Sequence, residues 1–331
     1  MFRKITTLVA TAALSAMLIT GSALASDPIK IKFAHVVAEN TPKGQMAIKF
    51  KEMVAERMGG KVVVEVFPSS QLFTDEKVLE AMLLGDVQLA APALSKFDRY
   101  TPQLQIFDLP FLFKDITAVD KFQQSEKGQE LLKSLEKKGL VGLGYLHNGL
   151  KQISANKPLR VPADAAGLKF RIMSSDVLAA QFQAVNAVPL KKPFSEVFTL
   201  LQTKAIDGQE NTYSNNYSQK FFEIQSHITE TNHGLLDYMV VSSREFWMGL
   251  PDDIRTELTA ILNESIVYGN KVALEKDLED RQKIIDSKRT TIVTITEAER
   301  NQWVDAMKPV WQQFEKEIGK DMIDAAYQSN M

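Results

Sequence analysis

Ile29-Lys30-Ile31-Lys32-Phe33-Ala34-His35 alternates apolar and polar side chains, the pattern of a strand with one buried face. Lys61 to Phe67 (KVVVEVF) is a second β-branched run, closed by Pro68-Ser69-Ser70. Between them Thr41-Pro42 offers a cap and a first-turn proline. Ala47, Phe50, Met53, Val54 and Met58 then line one helical face, and Gly59-Gly60 ends it. Two strands joined through a helix pair in parallel. Working outward, Thr74 caps a helix expected through Leu84, and Gln88 to Ala93 reads as a short buried strand. The alternation implies a three-layer α/β domain.

Near residue 140 the pattern restarts. Leu140 to Leu146 reads as a strand and His147-Asn148-Gly149 as a turn. Lys151 to Ala155, Lys169 to Ile172, Ala205 to Glu210 and Asp237 to Ser242 read as further strands. A chain that crosses between two α/β units more than once gives hinged lobes around a cleft. The expected division is 27–148 with 237–276 for the first lobe and 149–236 with 277–331 for the second. From Pro251 to about Ser287 the apolar spacing is helical, interrupted by Gly269 alone. Some 35 residues would extend about 52 Å, enough to brace both lobes. Thr296-Glu297-Ala298-Glu299 resembles a capping box for a final helix.

The beginning of the chain reads as a signal peptide over residues 1–26. Arg3 and Lys4 precede an apolar stretch from Ile5 to Thr20, and Ala23-Leu24-Ala25 is a small-x-small cleavage site. The chain has no cysteine, so disulfides and thiolate metal sites are excluded, and 45% hydrophobic residues must supply the core. Without Arg3 and Lys4, 37 basic residues face 41 acidic ones, a net charge of −4 that argues against nucleic acid as partner. Neither a cofactor nor a metal is expected.

Familiar catalytic motifs are missing: no Gly-x-Ser-x-Gly, His-Glu-x-x-His, phosphate loop or Gly-x-Gly-x-x-Gly occurs. Four histidines are present, His35, His147, His227 and His233, none spaced as helical metal ligands. Arg171 lies in the strand Gly167-Leu168-Lys169-Phe170-Arg171-Ile172-Met173, among apolar neighbours. A cation there needs an anion, either an internal Asp or Glu or a small carboxylate from outside. Lys43, Lys96 and Lys151 stand at strand ends or loops, the rim where open α/β sheets bind ligands, and each also reads as solvated surface. Asn211 ends a strand, where an amide serves either a ligand or a turn. Phe194 reads as a hydrophobic staple with Phe198 or as a pocket wall.

Four ordered segments, Phe67-Pro68-Ser69-Ser70-Gln71-Leu72, Gly167 to Arg171, Pro193-Phe194-Ser195-Glu196-Val197 and Ala205 to Asn211, resemble the substrate-binding proteins of tripartite ATP-independent periplasmic (TRAP) transporters. The resemblance covers essentially all of the chain after the signal. Ala34 to Val37, Thr41 to Gly44 and Ala91 to Phe97 resemble the branch that receives four-carbon dicarboxylates. It implies a two-lobed periplasmic binding fold with a long helix spanning both lobes. It implies a monomeric receptor without catalysis that binds a C4-dicarboxylate such as succinate, malate or fumarate and docks on a membrane permease. It also implies that Arg171 clamps one carboxylate and that Asn211 contacts the ligand. Lys151 takes the place of an arginine found in sialic-acid-binding relatives, and relatives carry a cation where Lys96 stands. Lys43, Lys96 or Lys151 would neutralise the second carboxylate, with Ser174 completing the shell. The alternatives are a receptor for an oxo or sugar acid and a periplasmic hydrolase using His147 or His233 with a carboxylate.

Overall fold

The computed structural model describes residues 27–331, so the expected signal peptide lies outside the described residues. Nine strands form one mixed sheet: β1 (Ile29–Ala34), β2 (Val62–Phe67), β3 (Leu89–Ala90), β4 (Leu140–Ala155), β5 (Lys169–Ile172), β6 (Val188–Lys191), β7 (Gly208–Asn211), β8 (His227–Ser243) and β9 (Thr291–Thr294). Their order is β2-β1-β3-β8-β4-β7-β5-β6, with β9 pairing to β8. The pairs β1–β2, β1–β3, β5–β6 and β5–β7 are parallel, as the strand–helix alternation requires. Helix α1 (Pro42–Arg57) begins where expected: Thr41 caps it by accepting from the Gly44 N–H.

The two long antiparallel strands carry the connection between lobes. β4 is continuous for 16 residues, so the expected turn at His147-Asn148-Gly149 is instead a bulge within a strand. Gly149 has φ 139°, a backbone setting that a residue with a Cβ rarely adopts, and the register shifts between His147 and Gly149. The turn-forming residues therefore bend the strand rather than end it. Residues 140–147 pair with the 237–243 half of β8, and 150–155 with its 227–235 half, so both strands pass from one lobe to the other.

The long helix spans Asp252–Ser287, 36 residues and thus about 54 Å. It packs on α1 in the first lobe, on β4, and on the helix Tyr213–Ser218 in the second. Gly269 permits the closest approach, since a Cβ there would lie 2.8 Å from both Leu146 Cδ1 and Met46 Cβ. The expected final helix is three: Glu297–Met307, capped by Thr296 and Glu299 as read, then Val310–Ile318 and Lys320–Gln328. The first binds the second lobe, where Trp303 Nε1 donates to the Arg160 carbonyl. The last two return to the first, where Val310, Ile318, Met322 and Ile323 join the core around Phe107 and Phe122. Residues 310–331 therefore pack on the first lobe, and Val310–Ile318 also meets the second-lobe helix Asp176–Ala184, whereas the sequence grouped them with the second lobe alone.

Candidate functional site

A cavity opens between the lobes at the ends of their strands. It holds about 370 Å³ of space between atoms, open mouth included. The first lobe contributes Val36, Val37, Asp75, Glu76, Ala93 and Lys96. The second contributes Arg171, Met173, Phe194, Asn211 and Asn215, and Leu236 and Tyr238 come from the crossing strand β8.

Arg171 is 2% exposed. Its Nε donates to the Lys192 carbonyl at 2.9 Å, while Nη2 is enclosed and has no hydrogen-bond partner. Among the described residues no carboxylate lies within 4.0 Å of it. Phe194 stands 5.8 Å below the guanidinium and lines the cavity, so it is a wall of the pocket. Burial lowers the Arg171 pKa to about 10 against the fields of Glu210, Glu76 and Asp75, which leaves it charged at neutral pH.

The strand register explains why Arg171 lacks an internal partner. Arg171 stands opposite Gln209 on β7, and side chains alternate faces along a strand. Gln209 and Asn211 therefore share the face of Arg171, and Glu210 points the other way. Glu210 instead meets Lys151 at 2.8 Å and His233 Nε2 at 2.8 Å. Those partners hold its pKa at about 2 despite burial. Lys151, expected at the ligand, is fully buried in this network and does not line the cavity.

Asn211 is buried and does line the cavity; its Oδ1 accepts from Asn215 Nδ2 at 2.8 Å. Asn215, one helical turn further on, keeps its own Oδ1 enclosed and unpartnered. Lys96 also lines the cavity and is bonded to Glu76. Burial and the Arg171 charge lower its pKa, against Glu76 and Asp75. Lys43 is placed differently from expectation: it lies behind the wall, its Nζ 3.6 Å from the Tyr238 ring centroid and 2.8 Å from the Ala91 carbonyl. Burial lowers its pKa to about 8, against the field of Asp75. Ser174 is half-buried and faces a neighbouring crevice that also touches Glu76, Lys96 and Lys191.

Sequence reasoning missed Asp75, Glu76, Asn215 and Tyr238. Asn215 had a partial signal, because it lies in the first turn of the helix that begins just after Asn211. The acidic pair had none, since Asp75-Glu76 also reads as ordinary first-turn charge.

Neither histidine of the hydrolase alternative has a free ring nitrogen. His147 lies between Asp237 (Nδ1, 2.7 Å) and Asp120 (Nε2, 2.8 Å), so both ring nitrogens are occupied. His233 is occupied likewise by Thr231 and Glu210. His35 has two unpartnered ring nitrogens, and burial, helped by Lys43, lowers its pKa to about 3.

The sequence profile of the bacterial extracellular solute-binding proteins, family 7 (DctP), matches residues 33–317. The C4-dicarboxylate-binding periplasmic protein DctP of Shewanella loihica is 66% identical over 303 residues, 92% of this chain and 90% of that one. The crystal structure of a TRAP periplasmic solute-binding protein from Shewanella oneidensis with bound succinate superposes with a TM-score of 0.91 at 66% identity, over 92% of this chain and all of the other. A Pseudomonas aeruginosa counterpart with bound L-malate gives 0.85 at 45% identity, over 86% and 100%. With its two lobes, crossing strands and bracing helix, the chain belongs to the DctP family of bacterial extracellular solute-binding proteins, the receptors that serve TRAP transporters.

Proposed function

We propose that this protein is a periplasmic receptor for C4-dicarboxylates such as succinate, malate and fumarate. It is exported by cleavage near residue 26 and delivers its ligand to a TRAP-type permease without chemical change. The observation that carries the reading is the enclosed, unpaired guanidinium of Arg171 facing a small cavity. A buried cation without a carboxylate is unfavourable, and a bidentate carboxylate ligand relieves it. Lys96 supplies the second cation for the distal carboxyl, and Asn211 and Asn215 supply amide contacts. Lys43 acts from behind Tyr238, and Lys151 holds Glu210 in place. The succinate and malate found in the two related structures support a short diacid. Catalysis has no place in this reading, since His147 and His233 have no ring nitrogen left for a nucleophile. Closure follows from tighter binding to the closed than to the open form.

Titration calorimetry with succinate, malate, fumarate and butyrate tests this. The three diacids should bind one per protein and be recovered unchanged, and butyrate should bind far more weakly. A ligand consumed during the titration, or equal affinity for butyrate and succinate, would defeat the assignment.

A further inference from the structure

Glu76 is an unexpected wall for a dianion. Its Oε1 holds Lys96, and its Oε2 is enclosed with no hydrogen-bond partner. Lys96 is therefore already neutralised before a ligand arrives. A distal carboxylate that reaches Lys96 shares that ammonium with Glu76 and lies close to it. Glu76 is partly buried, with its Oε2 enclosed, and two carboxylates that share one ammonium in such a corner repel each other, which favours one proton held between them.

We propose that the cleft takes up the diacid together with one proton from solution, held between the ligand's distal carboxyl and Glu76. The proton converts a repelling pair of acceptors into a hydrogen bond and gives the orphaned Oε2 a partner. The inference rests on the dicarboxylate reading above and specifies the form of the ligand that the closed site accepts, a singly protonated acid by count of charge.

The surrounding groups fit this. In the free protein Lys96 outweighs burial and holds the Glu76 carboxyl below its ordinary value, so Glu76 starts ionised at neutral pH. On the cavity side Glu76 faces Asp75, Lys96 and Arg171. Behind them Lys43, His35 and Tyr238 close the first-lobe wall, and Lys151 with Glu210 forms a neutral pair in the second. Burial raises the Asp75 carboxyl, against Lys43 and Lys96, which marks this corner as one that resists further negative charge. On its outer side Glu76 borders a crevice with Lys77, Arg99 and Lys191 and the acids Glu80 and Asp98. That crevice gives the proton a route from solvent.

The test is succinate calorimetry near pH 6.5 in buffers of different ionisation enthalpy, where both free carboxylates of succinate and Glu76 are largely ionised. About one proton should be taken up per succinate bound, and affinity should fall by up to about tenfold per pH unit above that pH. Succinate binding with no proton uptake and a flat pH profile overturns the inference while leaving the receptor reading intact. No binding of any diacid overturns the receptor reading instead. In Glu76→Gln the uptake should vanish with succinate still bound, and an unchanged uptake of one proton overturns the assignment to Glu76. Should that variant fail to fold, the wild-type buffer and pH series still decides.

Discussion

Lys151 and Arg171 are both buried cations in one sheet, on strands that flank β7, yet they are in opposite circumstances. Lys151 has Glu210 at 2.8 Å, and Arg171 has a carbonyl on one side and an unpartnered nitrogen on the other. The alternation of β7 makes the difference: it sends Glu210 to one face and leaves Gln209 and Asn211 on the other. Lys151, enclosed with its own carboxylate and away from the cavity, serves the fold, and Arg171, denied one at the cavity wall, is available to a ligand. Burial alone does not separate them.

The comparison breaks most visibly in stability. Lys151→Met leaves Glu210 buried with His233 as its remaining partner and should destabilise the fold by about 3–5 kcal/mol in denaturant titration. Adding Glu210→Gln should recover much of that loss, because the orphaned charge is gone. A Lys151→Met protein as stable as the parent, but unable to bind succinate, would reverse the roles assigned to the two cations.

Arg171→Ala should do the opposite. No carboxylate is stranded by it, so the unfolding midpoint without ligand should hold or rise. Succinate affinity should drop by about 2–5 kcal/mol, the usual loss when one side of a buried charge pair is truncated. A thermal shift with succinate that survives in this variant would remove the guanidinium from the site.

Much of this was legible in the sequence, and the gaps have physical causes. The parallel strands around α1 were readable because alternation and capping are local. The long helix was readable because its apolar spacing has few interruptions. The join of Leu140–Leu146 to Lys151–Ala155 was not, because Asn-Gly marks a turn and a bulge equally well. Arg171 stood out as a cation among apolar neighbours. The positions of Lys43 and Lys151 did not, because their partners, Tyr238 and Glu210, are distant in the chain and are chosen by register. The return of residues 310–331 to the first lobe is likewise a matter of tertiary packing.

A third buried cation sharpens the distinction through pH. Burial opposes charge on His147, but Asp237 and Asp120 outweigh it and push the pKa up to about 10. The folded value lies above the unfolded one of about 6.5. The stabilisation is therefore complete below about pH 6.5 and is lost as pH rises through about 10. Unfolding free energy should fall across that window in the parent and fall less steeply in His147→Asn. Parallel profiles for the two proteins would show that the Asp–His–Asp bridge carries no linked proton.

The smallest effect is expected from Lys43, and it separates contact from field. Lys43 is buried as deeply as Lys151 but has Asp75 in its field and the Tyr238 ring at 3.6 Å between it and the cavity. A charge acting through a wall from roughly 8–10 Å at an effective dielectric near 20 contributes about 2 kcal/mol, about half of what it would at contact. Lys43→Met should therefore weaken succinate by about 1–2 kcal/mol and Lys96→Met by more. Because burial has lowered the Lys43 pKa to about 8, the Lys43 contribution should fade as pH rises through that value unless bound succinate raises it. The affinities of the parent and Lys43→Met should thus converge in alkaline buffer. A Lys43→Met loss equal to that of Lys96→Met would mean that Lys43 reaches the ligand itself, and the wall formed by Tyr238 would then have to open when the ligand enters.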